Sequence, residues 1–389
     1  MSTAAGTRET SARMAWVDTT RAVLMLLGVP FHAAFVYRGL PWYGPDSAGP
    51  VAGAVAGFVH TFRMPAFFAV AGYFAMRAVA RKPVGQWTGE RARRLLVPFA
   101  AGVLVLGPLQ LWLVARTTGP AGETFGRWVR LLSQPSLLVF QFWFLTVLFL
   151  YGLLLALGVS RFGVDRVWAA FGRAGSWTGA SRWRVVFVAV VAGCAVASGW
   201  AATVFAGIDT AFGLLDVRQA VIHAPSFVLG AVVAARPDLF DRMTRCSAPA
   251  ALAWCVAAGA LAALEPVAAV PARLLYHAAV PVVGAGMTMV LLTVIRRLLP
   301  GPSRVAGYLA AAAMTVYVFH NVLLLGLATV LLPVGWPVSV EYAVLVGGAV
   351  AGSLVIHEVL VRLPGLATLF LGQRHRRRAR PEAVGAGPD

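Results

Sequence analysis

Long apolar windows separated by short polar connections run through the whole chain, and a window of about 20 residues is what an α-helix needs to cross a hydrocarbon core. The pattern predicts helices over Ala15–Val36, Val51–Met76, Leu95–Ala115, Leu137–Leu157, Val185–Phe205, Asp216–Ala235, Pro249–Leu264, Leu274–Ile295, Val305–Leu332 and Tyr342–Val361. The expected architecture is therefore an all-α polytopic membrane protein of about ten transmembrane helices. The connections alternate in charge. Arg77, Arg81, Lys82, Arg91, Arg93 and Arg94 follow the second span, and Arg161, Arg166, Arg173, Arg182 and Arg184 follow the fourth. Odd-numbered connections hold few basic residues: Arg38, Arg218 and Arg273 stand alone, and only the third is an exception with Arg116, Arg127 and Arg130. The positive-inside rule then puts both termini in the cytoplasm. Residues 1–14 are expected to be a cytoplasmic segment, 15–362 the membrane domain, and 363–389 a basic, disordered cytoplasmic tail.

Composition agrees with a bilayer protein, since 59% of the 389 residues are hydrophobic and only 12% charged, against about 25% charged in soluble domains. The formal charge of +18 has no basic groove with interleaved aromatics to go with it, so nucleic acid is not an expected partner and the charge reads as topological. The "RHRRRAR" run, Arg374 to Arg380, fits a solvated topology anchor or a contact with anionic headgroups. Cys194, Cys246 and Cys255 have no paired spacing, which argues against disulfides and zinc. Met1 to Ala15 lacks the short apolar stretch and small-residue site of a cleaved signal. Gly53–Gly57, Gly348–Gly352 and the pair Gly284 and Gly286 are expected to serve close helix packing.

Against this apolar background the ionisable residues inside the spans are the informative ones, because each costs about 2.5–3.5 kcal/mol at helix centre on insertion scales. Eleven residues separate Arg21 from His32; at 100° per residue they share one helix face, about 16 Å apart along the axis. Pro30 should kink the helix between them and free the Leu26 carbonyl. Asp18 and Arg21 are close enough to neutralise each other. His32 is joined at a similar depth by His60 and Arg63 in the second span, Tyr317 and His320 in the ninth, and His223 and His277 in the sixth and eighth. Asp216, Gln219 and His223 share a face that either lines an outer vestibule or bonds within itself. No carboxylate or cysteine accompanies the histidines in a metal-binding pattern, so no metal is expected. At the cytoplasmic side, Arg91, Arg93 and Arg94 either fix topology or clamp phosphate oxygens.

These residues give the chain a resemblance to the acyltransferase-3 family of bacterial membrane O-acyltransferases. The resemblance covers nearly the whole chain. It rests on Arg21 and His32, on Phe62, Met64, Pro65, Phe67, Phe68 and Gly72, on Arg91, Arg94, Leu95 and Pro98, on "FWFLTVLF" in the fourth span, and on "YVFH" ending at His320. The nearest branch looks like the transferases that succinylate periplasmic glucans. The resemblance implies a multi-pass protein of the bacterial cell membrane. It would move an acetyl or succinyl group from cytoplasmic acyl-CoA, a co-substrate rather than a resident cofactor, to a carbohydrate hydroxyl. It implies His32 as general base, or as the carrier of a covalent acyl group. Arg63 or Tyr317 would stabilise the oxyanion, His320 would stand beside them, and Arg21, Arg91, Arg93 and Arg94 would hold the donor's phosphates. His60, Asp216, Gln219, His223 and His277 would form an acceptor vestibule. Two departures bear on donor or acceptor choice: Arg63 replaces the histidine or other residue of many relatives, and Ala71-Gly72 replaces Ser-Gly. Some relatives carry an additional soluble domain, which this sequence does not show, implying direct delivery to a small or flexible acceptor. The rival class is a proton-coupled transporter of a small polar solute, disfavoured by the scarcity of intramembrane carboxylates and of duplicated halves.

Overall fold

The computed structural model describes residues 19–37, 50–176, 210–211, 213–264, 270–299 and 303–373. The helices in order are α1 Thr19–Phe35, α2 Pro50–Val79, α3 Val84–Thr117, α4 Thr124–Leu132, α5 Pro135–Leu138, α6 Trp143–Phe162 and α7 Val164–Ser176. After a two-residue hairpin, β1 Thr210–Ala211 paired antiparallel with β2 Leu215–Asp216, come α8 Val217–Ala235, α9 Pro237–Met243, α10 Ala248–Leu264, α11 Val270–Leu298, α12 Arg304–Leu331, α13 Val338–Arg362 and α14 Pro364–Leu371. Among the described residues, seven helices (α2, α3, α6, α8, α11, α12 and α13) are long and apolar enough to cross a membrane, and the count is eight if α9 and α10, bent by 78°, form one broken span rather than a re-entrant loop. The expected first span corresponds to the shorter α1, and the expected fifth, Val185–Phe205, lies outside the described residues.

Three features depart from the apolar pattern. Helix α3 begins at Val84 and runs 34 residues, about 51 Å at 1.5 Å per residue and well beyond a ~30 Å core. Arg91, Arg93 and Arg94 therefore stand on the first turns of a continuous helix rather than in a connection. Inside it, Gly102–Leu106 is a π-helical segment, an insertion that resets the face presented by the rest of the helix. The start of the expected tail is also ordered: α14 packs against α3 and α13, while residues 374–389 lie outside the described set.

Two helices approach closely where side chains vanish. A Cβ on Gly72 would strike the Phe227 carbonyl, and one on Gly230 the Ala69 carbonyl, so α2 and α8 pack backbone to backbone as small residues allow in a bilayer. Gly348, Gly352, Gly284 and Gly286 instead make room for side chains, those of Leu327, Leu323, Pro65 and Trp254 respectively; Gly53 meets nothing within 4 Å. Aromatics fill the adjoining core: Phe144 packs at 4.6 Å from Phe67 and 5.0 Å from Phe68, and Tyr151 at 4.9 Å from Phe227. In α1 the helical pattern breaks at Leu27, three residues before Pro30, where the ring removes the bond to Leu26.

At one end of the bundle, arginines near helix termini tie neighbouring segments together. Arg236 reaches the Gly172 carbonyl at 3.4 Å, Arg296 the Thr244 hydroxyl at 2.6 Å, and Arg93 the Gly372 carbonyl at 3.4 Å. The third connection, the exception in charge, has a local explanation: Arg127 donates to the carbonyls of Ala115 at 3.0 Å and Pro120 at 2.8 Å. It caps the C-terminal end of α3, where free carbonyls favour a cation.

Candidate active site

At the end of the bundle opposite those arginines, α1, α2, α6, α8 and α12 enclose a cavity of about 360 Å³. Its polar walls are His32, His60, Arg63, Ser136, Gln141, Gln219, Tyr317 and His320, set among Phe31, Phe35, Phe67, Phe140, Trp143 and Phe144, with Leu24 and Met25 also in the lining. None of the lining residues is acidic.

Of the residues expected to share a depth, His32, His60, Arg63, Tyr317 and His320 line this one cavity. The imidazoles of His32 and His320 lie 5.0 Å apart, centroid to centroid, at 54°. Phe31 organises the α2 side: His60 stacks on it at 5.3 Å, and the Arg63 guanidinium carbon sits 4.5 Å from its ring centre. Gly28 leaves room for that guanidinium, since a Cβ there would stand 2.8 Å from Nη1. Arg63 Nε is buried without a hydrogen-bond partner, and among the described residues no carboxylate pairs with it. The cavity thus presents a positive group aimed at whatever enters.

Tyr317 is differently engaged. Its hydroxyl donates to the Gln141 carbonyl at 2.8 Å, so its single proton is committed and the oxygen remains an acceptor. Gln141 follows Phe140, whose φ of +37° is unusual for an aromatic residue; this turn brings Phe140 and Gln141 into the wall. Behind His320, Asn321 donates to Gln110 at 2.6 Å across α12 and α3, with both residues fully buried. Sequence reading missed Gln110 and Gln141. Their isolation in apolar runs was the available signal.

Other expected site residues stand elsewhere. Asp216 caps α8, accepting from the Gln219 N–H at 2.8 Å, while Gln219 lines the cavity and His223 does not. His223 is buried in parallel stacks with Phe68 at 5.0 Å and Trp143 at 6.2 Å. The side chain of His277 and the pairing of Asp18 lie outside the described residues. Arg21 sits one turn below Leu24, half-buried with its guanidinium 6.0 Å from the Phe74 ring centre. Arg91 turns toward α6, donating to the Leu148 carbonyl at 3.2 Å and lying over Trp87 at 5.2 Å. Arg93 takes the Gly372 carbonyl, and Arg94 is exposed. None of these four arginines reaches the cavity wall.

A family model described as an acyltransferase domain, the acyltransferase-3 model, matches residues 14–358. The chain belongs to that acyltransferase family. Glucans biosynthesis protein C of Salmonella typhimurium (strain LT2) is 26% identical over 382 residues, covering 95% of this chain and 97% of its own. The protein of the same name from Salmonella paratyphi A (strain ATCC 9150) is 25% identical over 384 residues, with the same coverage. No solved structure matches the chain. Family and helices together make this a multi-pass membrane acyltransferase.

Proposed function

We propose that the protein transfers an acyl group of acetyl or succinyl type from cytoplasmic acyl-CoA to a hydroxyl of a carbohydrate or glycosylated acceptor, at the cell membrane of a bacterium. One observation carries the reading: three imidazoles, those of His32, His60 and His320, and the Arg63 guanidinium share one aromatic cavity whose lining holds no carboxylate. Acyl transfer to a hydroxyl needs a base for the incoming proton and a fixed positive group for the oxyanion, and those are the groups present. The relatives are named for glucan biosynthesis, which supports a carbohydrate acceptor.

In this mechanism the acceptor oxygen forms a bond to the thioester carbonyl carbon as His32 takes its proton. Imidazole ordinarily titrates near neutral pH, which suits it to both halves of the exchange. Arg63 faces the oxyanion, and Tyr317, its proton held by Gln141, braces the wall. The carbon–sulfur bond then breaks and the departing thiolate recovers the proton from His32. Arg94, exposed at the far end of the bundle, and Arg21, between that end and the cavity floor, are the arginines placed to meet the donor's phosphates. Arg91 and Arg93 hold α3, which carries Arg94, against α6 and the end of α14.

The test is acceptor-dependent thiol release by purified protein in lipid nanodiscs, given acetyl-CoA or succinyl-CoA and a β-glucan oligosaccharide. Wild type should release thiol and acylate the sugar, and His32→Ala should lose all but a few per cent of turnover while keeping the CoA-induced thermal shift. A His32→Ala protein with near-normal turnover, or no release with either donor, overturns the reading.

A further inference from the structure

A histidine that acts as a base is held in one tautomer by an acceptor on its second nitrogen, and that acceptor is most often a carboxylate. The cavity around His32 has none. It has His320, whose Nδ1 lies 2.8 Å from the Val316 carbonyl oxygen and 2.9 Å from that of Tyr317. Carbonyl oxygens only accept, so Nδ1 bears the hydrogen and Nε2 the lone pair. The preceding turn of α12 thereby fixes the tautomer of His320. Its Nε2 is buried and bonded to nothing in the protein, and the same is true of His32 Nδ1. The rings stand 54° apart with centroids separated by 5.0 Å and make no hydrogen bond to each other; a turn of the His32 ring about its Cβ–Cγ bond is what would bring one of its nitrogens to a hydrogen-bond length of about 2.9 Å from Nε2.

We infer that His320 is the positioning residue for His32: on a small turn of the His32 ring, the free Nε2 of His320 accepts a hydrogen from one His32 nitrogen, so that the other presents its lone pair to the acceptor hydroxyl. This rests on the acyltransferase reading above. During transfer the hydroxyl proton moves to the free His32 nitrogen as the carbon–oxygen bond forms, and passes to the thiolate as the carbon–sulfur bond breaks. His320 stays neutral and accepts one hydrogen bond throughout. Asn321, tied to Gln110, anchors the next position of α12 against rotation.

The experiment is a double-mutant cycle on the full-length protein in nanodiscs, with kcat and KM for both substrates. His320→Leu should lower kcat about 100-fold or more and leave KM within about 3-fold, as expected when a base loses its orienting acceptor. His320→Gln, whose amide oxygen can accept in place of Nε2, should recover part of the loss. In a His32→Ala background, His320→Leu should cost less than about 2-fold, because residues acting as a unit are not additive. Multiplicative losses in the double variant, or a His320→Leu loss under 10-fold, overturn the inference while leaving the acyltransferase reading intact. The ¹⁵N spectrum of ring-labelled histidine gives a measure independent of turnover. His320 should show protonated Nδ1, and His320→Leu should shift the His32 signals. A His320 protonated at Nε2 overturns the inference whether or not transfer is observed; absence of transfer by wild type removes the functional reading, and this proposal with it.

Discussion

Replacing Arg63 with methionine should make the protein more stable and less active at once. The guanidinium stands over Phe31 at 4.5 Å, a cation–π contact worth about 0.5–2 kcal/mol. Against that gain stands a positive group in a site without an acidic lining residue, its Nε bonded to nothing; an uncompensated ion in a low-dielectric interior costs several kcal/mol even after relaxation. Methionine fills the same space with a flexible, polarizable chain that packs well on Phe31. The net change is a stabilisation of about 1–3 kcal/mol, read as a rise of a few °C in the unfolding midpoint in detergent. Removing the fixed oxyanion donor should lower kcat about 10²–10³-fold, in thiol-release assays at saturating donor. An unfolding midpoint that falls, with kcat retained, would mean that Arg63 is a structural cation with a favourable environment, and the argument from its missing partner would fail.

Two further outcomes follow from the geometry. Gly72→Ala should destabilise by about 1–3 kcal/mol, seen as a lower unfolding midpoint, because its Cβ meets the Phe227 backbone carbonyl, which cannot move aside like a side chain; an unchanged midpoint would show that α2 and α8 do not pack this closely. Single cysteines in a Cys-free background, in place of Trp336 between α12 and α13 and of Gly85 at the start of α3, should label with an impermeant thiol reagent from outside intact cells and only after lysis, respectively. The reverse pattern would put the exposed Arg94 on the side without CoA and end the acyl-CoA mechanism.

The apolar windows alone located nearly every long helix, because a span's length is set by bilayer thickness and its backbone bonds are satisfied within it, whatever its neighbours do. They also set His32, His60, Arg63, Tyr317 and His320 at a similar depth, where the five line one cavity, since the rise per residue is fixed; the helical path from Arg21 to His32 is interrupted at Leu27, and of these two only His32 lines that cavity. The short helix α7 stands outside the expected spans because it lies outside the long apolar runs, although Val164, Val167, Trp168 and Phe171 recur at the spacing of one helix face. Length and periodicity could not extend α3 back through its arginines, where stability comes from packing on α6 and α14.

The division of labour among polar residues was decided by tertiary contacts alone. Asp216 and His223 look equivalent in spacing to Gln219, yet one is spent on a helix cap and the other on aromatic stacking, and only Gln219 reaches the cavity. Tyr317 and His320 are one turn apart, yet the tyrosine proton goes to Gln141, 176 residues away in sequence, while the histidine hydrogen goes to its own helix and leaves Nε2 buried and without a partner in the protein. A sequence fixes which groups a helix face carries and how deep they sit. Which of them keeps a free proton or a free lone pair depends on the partner that the packing of other helices brings within hydrogen-bond reach, and that contact is made only in the folded bundle.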